Sequence, residues 1–284
     1  MNNIIDGKAV SAAVKERVAN EVKALKEKGV TVGLAVIIVG EDPASQVYVR
    51  NKERACEQCF MYSEKIELPE STTEAELLEI IDKLNNRSDI NGILCQLPLP
   101  RHINEKAVID AISPAKDVDA FHPQNVGKIM IGDYDFLPCT PAGVMELLRA
   151  KNVEISGKHC VIIGRSNIVG KPMSMLMLHA NATVTVCHSK TQNLKEICQK
   201  ADIIIAAVGR PKFLTVDMVK DGATVIDVGI NRTEEGLCGD VDFDSVSKKA
   251  EAITPVPGGV GPMTIAMLMQ NTLTAAKKQN NIES

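Results

Sequence analysis

The chain has 284 residues, a formal net charge of −4 and no tryptophan, with 45% hydrophobic and 24% charged residues. This composition is typical of a globular protein, and its slight acidity gives no indication of nucleic-acid binding. The length exceeds the common size of one domain, so we expect two domains.

The apolar runs of the chain are short. The longest, GLAVIIVG and DIIIAAVG, fall far below the roughly 18 to 20 residues that cross a bilayer. The start, MNNIIDGKAV, lacks a basic segment followed by an apolar one, so we expect a cytoplasmic protein without membrane contact. The eight cysteines are scattered through apolar segments, which predicts reduced and mostly buried thiols. Cys56 and Cys59 have C-x-x-C spacing without a second half-site, so no metal site is predicted.

Helical and extended patterns alternate in the first part of the chain. A helix is predicted in SAAVKERVANEVKALKEKG, ending at Gly29, and a strand in VTVGLAVIIVG. Further elements are predicted in this order: a helix after EDPAS, a strand near SEKIELP, a helix in TEAELLEIIDKLNNR, a strand in INGILCQLPLP and a helix in NEKAVIDAI. Strands that are apolar on both faces and alternate with helices indicate a parallel sheet covered on each side.

The segment 113–143 is rich in Pro, Gly and Asp and interrupts this alternation, so we expect the chain to cross between domains there. The helix GVMELLRAKN follows, and a second series has strands in KHCVIIG, ATVTVCH, ADIIIAAVG and GATVIDVGI. The closing helix IAMLMQNTLTAAKK is expected to pack on the first domain. The predicted fold class is α/β, with a three-layer N-terminal domain over 1–119 completed by a C-terminal helix in 262–284, a crossing at 120–143, and a Rossmann-type domain with a parallel sheet at 144–261.

The segment HCVIIGRSNIVGKP has the pattern of a dinucleotide-binding turn, in which a buried strand runs into glycines and then a helix. Gly164 and Gly170 allow a tight turn, and the amino end of the helix can direct N–H groups at a pyrophosphate. The usual G-x-G-x-x-G is absent, because Ser166 and Asn167 lie inside the turn. Plain α/β packing is the alternative interpretation of these glycines.

The end of the next strand indicates which cofactor is bound. An acidic residue at this place accepts from the ribose 2′-OH of NAD, whereas NADP requires cations and other donors. The chain has CHSKT at 187–191, with no carboxylate. Arg165, Ser189 and Lys190 could surround a 2′-phosphate with donors, which favours NADP. The alternative is that the two cations are solvated surface charges.

Tyr48 and Lys52 lie four residues apart in YVRNK, so a helix places them on one face. Tyr-x-x-x-Lys also occurs at the active site of short-chain dehydrogenases. In that family the nucleotide-binding turn precedes the pair, whereas here Lys52 precedes Gly164. The order of the motifs therefore argues against a short-chain dehydrogenase.

Six segments, YVRNK, CQLPLP, KDVDAFHP, GRSNIVGKP, VIDVGIN and PVPGGVGPMT, occur in an order that spans most of the chain. In these segments the chain closely resembles the bifunctional methylenetetrahydrofolate dehydrogenase/methenyltetrahydrofolate cyclohydrolases. The resemblance implies oxidation of 5,10-methylenetetrahydrofolate by hydride transfer to NADP, then hydrolysis of the methenyl product to 10-formyltetrahydrofolate. It further implies a folate-binding catalytic N-terminal domain, an NADP-binding second domain, an active site in the cleft between them, a homodimer, and a place in one-carbon metabolism and purine biosynthesis.

The resemblance also implies the roles of single residues. Lys52 is then the central catalytic group, Tyr48 stacks on the folate, Gln96 contacts Lys52, and Asp119 anchors the pterin. The other implied contacts are Leu97, Pro98, Pro257, Gly258, Gly259, Val260 and Gly261 with the folate, Ile230 with the nicotinamide, and Gly164, Arg165, Ser166 and Ser189 with the remainder of NADP. His122 and His188 match no catalytic position, and a packing or surface role is expected for both.

The chemistry of hydrolysis is consistent with these roles. Water must lose a proton as it attacks the methenyl carbon, and a nitrogen must gain one as the ring opens. A lysine with the ordinary pKa of about 10.4 is a poor base at neutral pH, so burial and the cationic substrate must lower it. Asp119 can accept a pair of hydrogen bonds from the pterin edge, but spacing alone leaves Asp117 as an alternative.

Two departures from the family pattern flank this aspartate: Ala120 stands where the family commonly has glycine, and Gln124 where it has tyrosine. They put the detail of the loop in question, not the chemistry. A dehydrogenase of another small substrate and a non-catalytic NADP-binding regulator remain as alternative functions. The regulator would leave the Tyr, Lys, Gln and Asp set without a role.

Overall fold

A computed structural model describes residues 3–234 and 236–282 of the chain. The chain forms two compact units. The first unit comprises Met1–Ser11 and Thr140–Thr264, and the second comprises Ala12–Cys139 and Ile265–Ser284.

The described residues form helices and strands in alternation. The α-helices are α1 (Gly7–Glu27), α2 (Pro43–Gln58), α3 (Glu74–Asn85), α4 (Glu105–Ala111), α5 (Pro123–Ile131), α6 (Cys139–Ala150), α7 (Gly170–His179), α8 (Leu194–Cys198), α9 (Phe243–Val246) and α10 (Val260–Gln279), with a 3₁₀ turn at Val216–Met218. The strands are β1 (Gly33–Val39), β2 (Tyr62–Leu68), β3 (Gly92–Cys95), β4 (His159–Ile163), β5 (Thr183–Cys187), β6 (Ile203–Ala206), β7 (Thr224–Asp227), β8 (Asn231–Thr233), β9 (Gly236–Cys238) and β10 (Ala252–Ile253).

The second unit is built on a three-stranded parallel sheet in the order β2-β1-β3. The central strand β1 is buried along its whole length, as an apolar strand covered on both faces must be. Ile37 of this strand and Ile93 of β3 share one core cluster with Leu77 and Ile81 of α3. A capping box fixes the start of α3, because Thr73 and Glu76 each satisfy an N–H group of the other.

Residues of the C-terminal helix α10 that belong to the second unit contact the rest of that unit through polar side chains. The amide of Asn271 donates to the carbonyls of Val118 and Leu137 at 2.7 and 2.8 Å. Near the end of the helix, Gln279 donates to the carbonyls of Asn91 and Ala115, both at 2.9 Å. These bonds tie the helix to the loop that carries Asp117 and Asp119.

The first unit contains a five-stranded parallel sheet in the order β10-β7-β6-β4-β5. From β4 the chain passes to β5 on one side and then returns to β6 on the other. A doubly wound sheet of this order binds ligands at the carboxyl ends of the two strands where the direction reverses, here β4 and β6. The predicted fold class, two α/β domains with parallel sheets, is confirmed.

One helix lies inside the segment that the sequence indicated only as a crossing. Helix α5 begins after His122, whose Nδ1 accepts from the amide of Gln124, and Pro123 occupies its first position. It ends at Gly132, which has φ of +81°. Pro at the start and Gly after the end are favourable helix boundaries, but they also gave the segment its irregular composition.

All eight cysteines are free, and Cys238 is the one that is not fully buried. Within residues 3–234 and 236–282, no group of three or more His, Cys, Asp or Glu side chains is arranged to hold a metal ion. Among the same residues, no helix combines the length and the apolar character that crossing a membrane requires.

Candidate active site

Lys52 and Tyr48 both lie on helix α2, on the same face one turn apart. The helix starts at Pro43, and the carboxylate of Asp42 caps it by accepting from the amide of Ser45 at 2.8 Å. Tyr48 is 42% exposed, so its ring is accessible to a ligand. Lys52 is partly buried.

Gln96 follows the carboxyl end of β3 and contacts Lys52. The lysine Nζ donates to Gln96 Oε1 at 2.6 Å. The other end of the same amide donates to the carbonyl of Leu97 at 2.7 Å, which fixes the orientation of the amide. Gln96 therefore presents an oriented, uncharged acceptor to Lys52.

Burial and charge act in opposite directions on the pKa of Lys52. Burial lowers this pKa below its ordinary value, while the charge of the nearby Asp119 carboxylate partly offsets that effect. No direct hydrogen bond between Lys52 and Asp119 occurs among the described residues, so the carboxylate acts on the lysine through its charge. The net effect is a lowered pKa, which favours the neutral amine.

The carboxyl group of Asp119 has a raised pKa. Burial raises the pKa of Asp119 to about 6, although the charge of Lys52 acts to lower it. The thiol of Cys139 donates to Asp119 Oδ1 at 3.7 Å. Burial and the Asp119 charge raise the pKa of this thiol well above its ordinary value, so the thiol stays protonated and can donate.

Asp117 differs from Asp119 because its carboxylate is used within its own loop. Its Oδ2 accepts from the amide of His122 and from Asn125 Nδ2, both at 2.8 Å. Asp117 is 3% exposed, and burial raises its pKa. The side chain of His122 caps α5, which is a local packing role of the kind expected.

Leu97 and Pro98 follow Gln96 and are joined by a cis peptide bond. Leu97 lines a small cavity together with Asp117, Asp119 and Phe121. Two residues predicted to contact folate, Leu97 and Asp119, therefore lie around one space in the second unit.

Ala120 has φ of +57° and is fully buried. This left-handed conformation is unfavourable for a residue with a Cβ atom. The preference of the family for glycine at this position therefore has a steric reason, and the alanine leaves the chain path intact.

The glycine-rich segment 257–261 lies in the first unit, and part of its glycine content is explained by packing. A Cβ on Gly259 would lie 2.5 Å from the carbonyl oxygen of Pro255, and one on Gly7 would lie 1.8 Å from the carbonyl oxygen of Gly259. A Cβ on Gly261 would lie 3.6 Å from Ile230 Cδ1. Two residues predicted to contact ligands, Ile230 and Gly261, are thus neighbours.

The turn after β4 has the backbone shape that a nucleotide requires. Gly164 has φ of +135°, and a Cβ there would lie 2.3 Å from the carbonyl oxygen of Ala207. A Cβ on Gly170 would lie 2.3 Å from the carbonyl oxygen of Gly164. Both glycines are needed for close approach at the edge where β4 and β6 end, so these residues fit a dinucleotide.

Two amides at the start of the helix after β4, which were expected to face the pyrophosphate, already have a partner. Ser166 Oγ accepts from the amides of Val169 and Gly170 at 3.2 and 3.3 Å, so these two helix donors are already satisfied. The turn 165–168 itself supplies the remaining amides. Arg165 and Ser189 are exposed, and each lies two residues beyond the paired ends of β4 and β5, where Ile163 pairs with Cys187.

His188 and Lys190 lie in the same turn after β5. The His188 ring Nδ1 accepts from the amide of Lys190 at 3.1 Å, and the His188 amide donates to Thr191 Oγ1 at 2.8 Å. The histidine therefore shapes the turn, which is the packing role expected for it.

Comparison with known proteins gives the family. Residues 5–119 match the sequence model of the tetrahydrofolate dehydrogenase/cyclohydrolase catalytic domain, and residues 138–280 match that of the NAD(P)-binding domain. The chain belongs to this family. A bifunctional protein FolD of Agathobacter rectalis is 62% identical over 279 residues, which cover 98% of this chain and 100% of that protein.

Solved structures agree with the family. The bifunctional FolD enzyme of Campylobacter jejuni is 53% identical, with a TM-score of 0.95 and coverage of 97% of this chain and 98% of that chain. The Trypanosoma brucei FolD, solved in complex with NADP cofactor and inhibitor, is 42% identical, with a TM-score of 0.92 and coverage of 97% of both chains. The enzyme is a methylenetetrahydrofolate dehydrogenase and methenyltetrahydrofolate cyclohydrolase of one-carbon metabolism, and its cofactor is NADP.

Three residues at the candidate site of the enzyme were missed by the sequence analysis. Cys139 contacts Asp119, Asn125 holds Asp117, and Asn271 of α10 lies 3.7 Å from Cys139 Sγ. Asn271 carried no clear signal, because it lies between the polar residues Gln270 and Thr272. Cys139 carried no such signal, because a lone buried cysteine is usually a packing residue.

Proposed function

We propose that Lys52 is the group that handles the proton in the cyclohydrolase reaction. The observation that carries this proposal is the 2.6 Å contact of Lys52 Nζ with Gln96 Oε1, at a position where burial lowers the lysine pKa. A lysine held by a neutral amide keeps a fixed position without the full charge stabilisation that a directly bonded carboxylate would give the ammonium. These conditions make a lysine useful as a base near neutral pH.

The reaction then proceeds in two proton-transfer steps. Neutral Lys52 accepts a proton from water as the water oxygen bonds to the methenyl carbon, which gives a tetrahedral adduct. The resulting ammonium donates its proton to N5 as the carbon–N5 bond breaks, and the hydroxyl oxygen loses its proton to solvent as the formyl C=O forms on N10. Hydrolysis therefore consumes one water, releases one proton and restores neutral Lys52.

Tyr48 and Gln96 act beside Lys52. We propose that the exposed ring of Tyr48 stacks on the folate, since an aromatic side chain offers a flat apolar surface to a planar ligand. Gln96 fixes Lys52, and the bond from Gln96 to the Leu97 carbonyl prevents its amide from turning its donor end towards the lysine. Leu97 and Pro98 then line the substrate site.

We propose Asp119, not Asp117, as the anchor of the pterin. Asp117 already accepts from His122 and Asn125, whereas Asp119 has the weak thiol donor of Cys139 as its side-chain partner. An ionised Asp119 has acceptor capacity left for the amino and N3–H donors of a pterin. The same reasoning gives Asp119 a pH-dependent part in substrate binding.

We propose that NADP lies at the edge formed by β4, β5 and β6. The turn Gly164, Arg165 and Ser166 contacts the pyrophosphate, and Arg165 with Ser189 surrounds the 2′-phosphate with donors. Ile230 faces the nicotinamide, and the segment Pro257, Gly258, Gly259, Val260 and Gly261 lines the folate. NADP+, when bound, supplies the acceptor for the hydride that leaves the methylene carbon.

We also propose that residues 1–119 with the C-terminal helix bind folate, that 144–261 bind NADP, and that the enzyme is a cytoplasmic homodimer serving purine biosynthesis. The resemblance to the family supports the dimer and the pathway. The free cysteines support a reducing compartment.

The substitution Lys52→Met tests the role of Lys52. We expect cyclohydrolase kcat to fall by about 100- to 10,000-fold, the range of general acid–base catalysis. Binding of NADP+, followed by calorimetry, should be retained because the proposed cofactor residues are on other elements. Lys83→Met, the same change at a lysine that is 67% exposed, is the matched control and should keep full activity. Cyclohydrolase turnover retained in Lys52→Met would defeat the assignment.

A further inference from the structure

The loop after β6 is held by a single carboxylate. The amides of Val208, Gly209 and Arg210 all donate to Asp240, at 2.6, 2.9 and 2.9 Å. Gly209 has φ of +67°, which turns its amide towards the same point as its neighbours. Successive amides that converge in this way form an anion-binding concavity, and here the anion is a side chain of the protein itself.

Asp240 is completely buried, and its remaining acceptor capacity is used by a second segment. Asn231 Nδ2 donates to Asp240 Oδ1 at 2.9 Å. Burial of a carboxylate is costly unless hydrogen bonds replace its water shell, and four donors do so here. Asp240 therefore joins the loop 207–210 to the segment that carries Ile230.

A second carboxylate fixes Asp240 in turn. Asp227, at the end of β7, accepts from the amides of Gly229 and Asp240 at 3.0 and 2.9 Å and from that of Val241 at 3.0 Å. A Cβ on Gly229 would lie 2.2 Å from Asp240 Oδ1, and one on Gly239 would lie 1.8 Å from Asp227 Oδ2. The backbone on both sides is thus shaped around the two carboxylates.

The loop 207–210 lies where the sheet reverses direction. Ala207 directly follows β6, and its carbonyl oxygen packs against Gly164 of the turn after β4. Ligands of doubly wound sheets bind between the loops that follow these two strands. The segment carrying Ile230 follows β7, the next strand of the same sheet.

We propose that Asp240 is a positioning residue for NADP, which holds the loop 207–210 and Ile230 in the arrangement that the cofactor requires. This inference rests on the proposed placement of NADP at Gly164. Because the three amides of the loop are satisfied by Asp240, they are not available to the pyrophosphate. The loop acts as a fixed wall of the cofactor site, and phosphate binding is left to the turn 164–168.

The substitution Asp240→Asn tests the proposal. It keeps the side-chain shape but replaces one acceptor oxygen with a donor that faces backbone N–H groups. We expect the Kd for NADPH, measured by its fluorescence, to rise about 10-fold, as expected when buried donors lose their acceptor. Cyclohydrolase kcat, measured without NADP, should stay close to that of the unchanged enzyme. Amide hydrogen exchange should become faster at 208–210 while 203–206 stays protected.

Asp244→Asn, at an exposed aspartate four positions along the chain, is the matched control and should change none of these readouts. If Asp240→Asn does not fold, Asn231→Ala removes one donor to the same carboxylate and should still raise the NADPH Kd measurably. An unchanged Kd in a folded variant at either position overturns the proposal. Failure of the cofactor placement itself would be distinguished by the pair Arg165 and Ser189, whose substitution would then also leave NADPH binding unchanged.

Discussion

In the proposed mechanism, opposing effects act on the pKa of one residue, Lys52. Burial favours the neutral amine, whereas the charge of Asp119 favours the ammonium. The same pair acts in reverse on Asp119, where burial raises the pKa and the lysine charge limits the rise to about 6. With a pKa of about 6, Asp119 is mostly ionised at neutral pH, as its proposed contact with the pterin requires.

At the residue scale, the sequence predicted those neighbouring side chains that local spacing or the family resemblance could indicate. The helical spacing placed Tyr48 and Lys52 on one face, and the Lys52–Gln96 contact is present as the resemblance implied. The side chains that contact Asp117 and Asp119 come from α5 and α6, and Asn271 of α10 contacts Cys139 in turn. These contacts, between residues 8, 20 and 132 positions apart, depend on the path of the loop and on tertiary packing, which hydrophobic patterning does not specify. The catalytic and binding roles of these residues remain predictions.

At the scale of elements, strands and helices with strong patterns were predicted within a few residues of their bounds. Helix α5 was missed, since its Pro and Gly boundary residues were taken as marks of irregular structure, and the short elements α8, α9, β8, β9 and β10 were not predicted either. The buried carboxylates Asp227 and Asp240 were also missed. Asp227 ends β7 and Asp240 follows Gly239, and only the folded chain shows how many amides converge on them.

The ends of β4 and β5 provide a prediction about cofactor choice. The double substitution Arg165→Ala with Ser189→Ala removes donors that lie two residues beyond paired strand ends. We expect the Kd for NADP+ to rise about 10-fold or more, because charge-assisted bonds to the 2′-phosphate are lost. NAD+ lacks this phosphate, so its Kd should change little. Isothermal titration calorimetry with both cofactors measures the difference.

A cation at the opposite end of β4 provides the control for this experiment. Lys158 directly precedes the strand and is exposed, so Lys158→Ala should leave both affinities unchanged. Equal losses of NADP+ and NAD+ affinity in the double variant would remove the argument for 2′-phosphate recognition at this edge.

At the scale of the whole molecule, alternation of strands and helices predicted parallel sheets but not the order of their strands. Alternation does not determine which strands pair after each crossover, so several strand orders are compatible with it. The observed orders are β2-β1-β3 and β10-β7-β6-β4-β5. Chain length and the irregular segment 113–143 indicated two domains, and the family resemblance implied which ligand each domain binds.

The proposed homodimer is a property of the whole molecule as well. Sedimentation velocity of the purified enzyme should give a species of twice the chain mass over the micromolar range. A species of single-chain mass throughout that range would contradict the dimer.

The pH dependence of methenyltetrahydrofolate hydrolysis tests the central claim, that Lys52 and Asp119 form one charge-coupled site. We expect kcat/KM of the unchanged enzyme, which reports groups of the free enzyme, to fall as pH decreases through about 6, since protonated Asp119 can no longer accept from both pterin donors. At higher pH, kcat/KM should rise further as Lys52 loses its proton, because Lys52 acts as a base only in its neutral form. In Asp119→Asn the inflection near pH 6 should disappear. The rise assigned to Lys52 should move to lower pH, because the negative charge of Asp119 that favours the ammonium form is gone. The account would be contradicted by identical pH profiles for the two proteins between pH 5 and 9, a range of about two units on each side of neutrality.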